Sequence, residues 1–414
     1  VDITGLTPDT HYKYRVGGFD NVNQTMRYSD EFPFKAAPVP SPNRATRVFT
    51  GADHGTFELF GFETVNKMKK VMDELRPDFA FIAGDLSYAG LDSACKPLDI
   101  EKTDEFELIW DLLGVQNQPV SARIPWMVGV GNHESFYNFT AFTARYKMPQ
   151  TQSLNTNQNF WYTFTYGNIQ WVSISSEHDL SEGSPQNTFI REALTQANNN
   201  RANVPWIILT IHKPIYCSVE GSPSFASRVE SLLLEFDVDL AITGHMHAYE
   251  RIHPVNGGAV TVYPVKQKMM SVLQEVDVYY SQGKGPVHVM QGHAGGMQVE
   301  RWTQPPPAWS AFRMADGIIP RNTSDNGLRK WFTEHGLGEV NLSDDTPFTE
   351  DQLRDLPLVP PIDDINPSYN YSHTYGFGYI TAYNATHLHY QAIPNVDGIR
   401  NHDEFWIVKD HLVQ

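Results

Sequence analysis

The sequence predicts a layered α/β domain entered through a short piece of antiparallel sheet. Three patterns carry that expectation. Apolar runs of strand length recur from about residue 46 onward, stretches of helical periodicity lie between several of them, and the first 37 residues follow a different rule. With 414 residues, the chain has room for two domains or for one large domain with insertions. Its hydrophobic share of 41% is that of a globular chain rather than a disordered one.

The opening segment, VDITGLTPDTHYKYRVGG, alternates apolar and polar residues in two short runs around a proline-containing turn, the pattern of half-buried antiparallel sheet. Leu6, Pro8, Thr10, Tyr12, Tyr14 and Val16 fall at every second position and resemble the tyrosine corner of a fibronectin III-like sandwich. Residues 1–37 are therefore expected to be the C-terminal strands of such a domain. Two or three strands rarely stand alone, so an upstream portion is expected as well. The proline-rich KAAPVPSPNRA reads as a linker.

From residue 46 to 414 the grammar is that of one larger domain. Val48–Phe49 and the runs 79–83, 126–130, 206–211, 240–243 and 287–290 read as strands. Val65, Met68, Met72 and Leu75 share one helix face, closed by Arg76–Pro77, and Val229, Leu232, Leu233 and Phe236 share another. Residues near 315–371 break the rhythm, are rich in proline and aspartate, and read as a surface insertion. After it, YGFGYITAYNATHLHYQAI alternates around Asn-Ala-Thr as a closing hairpin.

The formal charge of −17 argues against nucleic acid or an anionic lipid surface as partner. No apolar run reaches transmembrane length, and the chain starts with neither Met nor a signal peptide, as a processed form or fragment would. Cys95 and Cys217 are too few for a disulfide framework, and one bond between them or two thiols are both open. Sequons at Asn23, Asn138, Asn322, Asn341, Asn370 and Asn384 lean toward N-linked glycans and a secretory route, hence an extracellular or vacuolar-lysosomal location.

The chemistry lies where strands end. GADHG carries Asp53, GDLSY carries Asp85 and Tyr88, GNHE carries Asn132, His133 and Glu134, TIHKP carries His212, and GHMHAYER carries His245 and His247. Singly, each has an ordinary explanation: an Asp beside Gly caps a turn, and a lone His is a core or surface residue. Together they place oxygen and nitrogen donors at the carboxyl ends of strands, where a parallel sheet gathers its functional loops. No Lys or Arg stands within three residues of Asp53 or Asp85 to neutralise them, so metal is the natural counter-charge. The set is too large for one ion and suits two cations about 3.5–4 Å apart with one carboxylate shared. Other templates fail. Tyr137 stands where H-E-x-x-H requires its second His, and neither a P-loop nor a G-x-S-x-G elbow is present.

The ordered set D-x-G, G-D-x-x-Y, G-N-H-E, a fourth-motif His and G-H-x-H resembles the purple acid phosphatases within the calcineurin-like metallophosphoesterases. VHVMQGHAGG, WSAFR and the last hairpin resemble their C-terminal part, so the likeness covers nearly the whole chain outside the insertion. It implies their β-sandwich with flanking helices, an αββα fold. It also implies an acid phosphatase hydrolysing monoesters of small phosphorylated substrates by in-line attack of metal-activated hydroxide. Tyr88 points to this branch, because a phenolate favours Fe(III). Carried over by position, Asp53, Asp85, Tyr88 and His247 would hold Fe(III). Asp85, Asn132, His212 and His245 would hold a divalent partner (Zn, Mn or Fe), with Asp85 bridging. His133, beside Asn132, would bind phosphate and protonate the leaving oxygen, with bonding to Glu134 as its alternative role. His54 and His293 are expected to be structural. Plant members carry a His pair where Gly221 and Ser222 stand, so this chain departs from them in the outer substrate shell. A nucleotide or diester phosphohydrolase on the same site, or a non-catalytic glycoprotein module, are the competing readings, and a homodimer is left open.

Overall fold

The computed structural model describes residues 3–56, 59–89, 103–149, 159–269, 275–296, 302–314, 374–397 and 401–409. The expected insertion and Cys95 lie outside them. Cys217 is a free thiol. Among the described residues, no helix is long and apolar enough to cross a membrane.

The first four strands, β1 (His11–Tyr14), β2 (Gly17–Asp20), β3 (Thr25–Tyr28) and β4 (Phe32–Lys35), form two antiparallel pairs, β1 with β4 and β2 with β3. Thr7 N–H donates to the Tyr12 hydroxyl at 2.8 Å, tying the turn to the strand.

The main domain continues with β5 (Thr46–Gly51), β6 (Phe79–Ile82), β7 (Trp126–Val128), β8 (Tyr162–Tyr166), β9 (Ile169–Ser173), β10 (Trp206–Thr210), β11 (Leu240–Thr243) and β12 (Tyr249–Ile252). A small hairpin of β13 (Val255–Asn256) and β14 (Ala259–Val260) precedes β15 (Val265–Lys268), β16 (Glu275–Tyr279), β17 (Val287–Gln291) and β18 (Ser310–Met314). The chain closes with β19 (Gly376–Ala382), β20 (His387–Pro394) and β21 (Asp403–Val408). Every strand expected from the sequence is present, and β19–β20 form the expected antiparallel hairpin.

The strands divide between two sheets. One has seven strands in the order β18-β12-β17-β11-β10-β9-β8, and the other has eight in the order β15-β16-β21-β20-β19-β5-β6-β7. Alternation along β5 and β6 explains the layers. Val48, Phe79 and Phe81 face the cluster shared by both sheets, where Phe81 stacks on Trp171 of β9 at 4.7 Å. Their neighbours Phe49 and Ala80 face a separate cluster with Val65, Met68 and Met72 of the helix Leu59–Leu75. On the other side, the helix Pro185–Asn199 buries Phe189, Ile190 and Leu194, and the helix Ala226–Glu235 buries Val229, Leu232 and Leu233. Helix, sheet, sheet, helix is the predicted αββα arrangement.

Polar contacts also cross between the sheets. Arg251 of β12 is buried and donates to Asp403 of β21 at 2.9 and 3.1 Å, and to Asp277 of β16 at 2.8 Å. Losing one partner of a buried pair costs about 3–5 kcal/mol, so this network ties one sheet to the other.

One detail departs from the sequence reading. The site strands do not share a single parallel sheet. β5, β6 and β7 are mutually parallel in the eight-stranded sheet, whereas β10 and β11 are parallel in the seven-stranded one. Strands buried on both faces read as the same apolar run in either sheet, so the pattern carries no sheet assignment.

Candidate metal centre

The five motif loops leave the carboxyl ends of these five strands and meet across the sandwich edge. Past β5 and β6 the backbones continue side by side. Asp53 N–H donates to Gly84 O, His54 N–H to Asp85 O and Gly55 N–H to Leu86 O, each at 3.1 Å. Pairing beyond the strands holds Asp53 and Asp85 abreast. At Gly84 the φ is +90°, and a Cβ there would stand 2.7 Å from Gly131 N and 2.8 Å from His212 Nδ1. A side chain at Gly131 would overlap the Asp85 carboxylate. These two glycines let three loops close on one point.

Asp53, Asp85, Tyr88 and His245 all take left-handed backbone conformations, with φ of 60°, 50°, 57° and 73°. Each such non-glycine residue costs roughly 1–2 kcal/mol. Hydrogen bonds offset the strain: Asp85 N–H donates to Glu134 Oε2 at 2.8 Å, and His245 N–H donates to Asp53 Oδ2 at 2.8 Å. Glu134 accepts two further N–H groups, from Leu86 and Gly131, each at 2.8 Å. The carboxylate of GNHE thus faces backbone donors, and these three bonds come from Asp85, Leu86 and Gly131 rather than from His133. Burial, then the charge of Asp85, push Glu134 up to about 8 against the Leu86 and Gly131 donors.

The donors form two groups. In the first, the Tyr88 hydroxyl lies 3.0 Å from Asp53 Oδ1 and 2.7 Å from His247 Nε2, with His247 Nε2 3.6 Å from the same Asp53 oxygen. In the second, His212 Nε2 lies 3.1 Å from Asp85 Oδ2 and 3.2 Å from Asn132 Oδ1, while its Nδ1 contacts Ala83 O at 2.9 Å. Ligand atoms of Asp85, His212 and His245 fall within 4.8 Å of one another. His133 borders both groups. Its N–H donates to Asp85 Oδ1 at 2.9 Å, its ring lies 4.5 Å from that of Tyr88, and its Nε2 is 3.8 Å from Asp85 Oδ2. The structure therefore brings together all eight residues singled out from the sequence.

The electrostatics are those of charge packed without water. Burial, with help from Asp85, pushes the Asp53 carboxyl up to about 6. Burial opposes ionisation of Asp85 too, but His212 and His133 outweigh it and hold that carboxyl well below its ordinary range. Burial also works against charge on His212, yet Asp85 and then Asp53 carry it up to about 10, whereas burial and His212 drive His245 down to about 3. The donor set fits cations. Among the described residues, the ion-pair partners of Asp53 and Asp85 are all histidines, and the buried His245 Nδ1 has no hydrogen-bond partner. Two buried carboxylates, a phenol, three imidazoles and a carboxamide are hard or borderline donors in number for two ions.

His54 and His293 stand outside this set. His54 is buried and stacks on Trp126 at 5.8 Å, and burial lowers it to about 4. His293 is buried against Tyr249 at 5.2 Å. The sequence reading missed one pair: Lys213 Nζ bonds Glu177 Oε2 at 2.8 Å. Lys213 follows His212 directly, the one signal available, whereas Glu177 follows a strand that the apolar pattern did not single out.

A family model for calcineurin-like phosphoesterases matches residues 6–249. The chain belongs to that family. An iron/zinc purple acid phosphatase-like C-terminal model also matches residues 348–404 of this calcineurin-like phosphoesterase. Purple acid phosphatase 18 of Arabidopsis thaliana is 29% identical over 364 residues, which are 84% of this chain and 69% of that protein. Probable inactive purple acid phosphatase 1 of the same plant is 28% identical over 340 residues, 75% of this chain and 51% of that protein. The chain thus spans about half the length of the latter. A purple acid phosphatase from yellow lupin (Lupinus luteus) seeds shares the fold, with a TM-score of 0.70 and 22% identity over 98% of this chain and 61% of that one.

Proposed function

We infer that this chain hydrolyses phosphate monoesters at a pair of bound cations, one ferric and one divalent. The observation carrying this reading is the pair of donor groups, with the Tyr88 hydroxyl set between Asp53 and His247 and with Asp85 among the second set. Asp53, Asp85, Tyr88 and His247 would hold iron. Asp85, Asn132, His212 and His245 would hold the divalent ion (Zn, Mn or Fe), with Asp85 common to both. Bound there, such cations supply Lewis acidity toward phosphoryl oxygens and toward the attacking water.

The chain's own residues do the remaining work. Asn132 offers its carboxamide N–H to a phosphate oxygen. His133 keeps its backbone fixed on Asp85 and part of its ring exposed, which supports its role in giving the leaving oxygen a proton. Burial lowers His133, so its proton leaves readily once the ester oxygen gains charge. The buried walls keep bulk water from the carboxylates and so strengthen each of these interactions.

Two secondary readings accompany this one. The Thr7–Tyr12 bond and the β1–β4 pair support a fibronectin III-like origin for residues 1–37. Exposed Asn23 and Asn138 sequons support N-linked glycans and a secretory route.

Rates on phenyl phosphate and on bis(p-nitrophenyl) phosphate at acidic pH test the proposal. The monoester is expected to be the faster by at least about tenfold in kcat/KM, an excess of about 1.4 kcal/mol in transition-state stabilisation. A faster diester would replace the monoesterase reading with a diesterase on the same site. Metal-loaded protein that cleaves neither would overturn the hydrolase reading and set the chain beside the relatives named probable inactive purple acid phosphatases.

A further inference from the structure

A sixth loop reaches the centre without supplying a ligand to it. β17 lies between β11 and β12, parallel to the first and antiparallel to the second, so the chain leaving Gln291 starts out beside Gly244. The turn Gly292–Gly296 then crosses to the other sheet. Ala294 N–H donates to Ala52 O at 3.3 Å, Gly296 N–H to Asp53 O at 2.8 Å, and Gly376 N–H of β19 to His293 O at 3.1 Å. All five residues of the turn are buried. Two of its glycines have no room for a side chain. A Cβ at Gly292 would stand 2.1 Å from Met246 O and 2.9 Å from Asp53 Oδ2. One at Gly296 would stand 2.6, 2.7 and 2.9 Å from Cε1, Nδ1 and Nε2 of His247. Neither glycine has a positive φ. Bare backbone is therefore required at Gly296 by the imidazole packed against it, not by a turn conformation.

These contacts fall on one donor group. Asp53 and His247, with the Tyr88 hydroxyl between them, belong to the set assigned above to iron. Gly296 holds the main chain of the first and borders the ring of the second, and the three atoms nearest its missing Cβ all belong to His247. The His247 side chain is 20% exposed, so a methyl group at 296 can displace the ring without unpacking the core. Carbon atoms pack at about 3.5–4.0 Å, so the ring would retreat by about 1 Å, whereas a ligand position tolerates about 0.2 Å. We propose that Gly296 is a positioning residue for the first donor group, its N–H setting the Asp53 main chain and its bare Cα seating the His247 imidazole. It thereby governs the affinity of the ferric ion and not that of the divalent one. The inference rests on the two-cation reading and adds to it a residue that binds no metal itself.

Iron and divalent-metal affinities, titrated against a competing chelator, provide the test, with the visible spectrum and the urea midpoint of the metal-free protein beside them. Gly296→Ala is expected to weaken iron by about 10–100-fold, the usual effect of losing a neighbour that orients a ligand. The visible band should fall in step, while the divalent affinity and the metal-free midpoint stay near wild type. In a His247→Ala background the same substitution should have no further effect on iron or on stability, because the space of the ring is vacant. Should Gly296→Ala alone fail to fold, the double variant is still expected to fold, and its failure would overturn the inference. So would an unchanged iron affinity, an equal loss of both metals, or a destabilisation that persists in full once His247 is removed. Each of these leaves the two-cation reading standing. Wild-type protein that takes up no iron removes instead the ferric site on which the inference rests.

Discussion

Asp85→Asn is expected to reduce kcat by about 10³-fold or more while leaving the fold in place. The substitution keeps size and shape, and an amide oxygen can still accept the His133 N–H that Asp85 Oδ1 accepts at 2.9 Å. What it removes is the charge facing His212 Nε2 at 3.1 Å, on the one carboxylate assigned to both cations. Losing a single fixed electrostatic partner of a reacting centre costs about 10²–10³-fold, and a shared ligand affects two ions at once. Circular dichroism should be unchanged, and bound metal should fall. Activity within tenfold of wild type would mean that Asp85 is not shared between cations.

Glu134→Ala is expected to be the most destabilising change at the site, by about 3–5 kcal/mol. Glu134 is 2% exposed and accepts the N–H groups of Asp85, Leu86 and Gly131. Alanine would leave all three without an acceptor in a place water does not reach, at about 1–3 kcal/mol each before relaxation. Two of those donors belong to residues whose placement defines the centre, so activity should fall with stability. Glu134→Gln retains one acceptor oxygen and should lie between. Urea midpoints of the three proteins measure this. An alanine variant within 1 kcal/mol of wild type would show that the loops are held by something other than this carboxylate.

The outlines of both layers were legible in the sequence because burial writes simple patterns. Phe79–Ile82 is apolar at every position because both of its faces are covered, and Val65, Met68 and Met72 recur at helical spacing because one face is. The centre was legible for a different reason. Each donor follows a strand, all but His212 stand within three residues of a glycine, and only a handful of residue types can hold a metal. Long-range relations left no such trace. Nothing local in Phe79–Ile82 or Leu240–Thr243 says that they lie in different sheets. Glu134 looked like one more donor in GNHE, and only the fold shows it turned to the backbone of another loop 48 residues away. Glu177 and Lys213 are separated by 36 residues and meet because β9 and β10 are parallel neighbours.

Metal content and the visible spectrum of the purified protein, taken together with Tyr88→Phe, test the central claim most directly. The account predicts about two ions per chain, one of them iron, and a visible band that disappears in the variant while the metals remain. A colourless, iron-free protein that is fully active, or a band that persists without the Tyr88 hydroxyl, would contradict the ferric site built on Asp53, Tyr88 and His247.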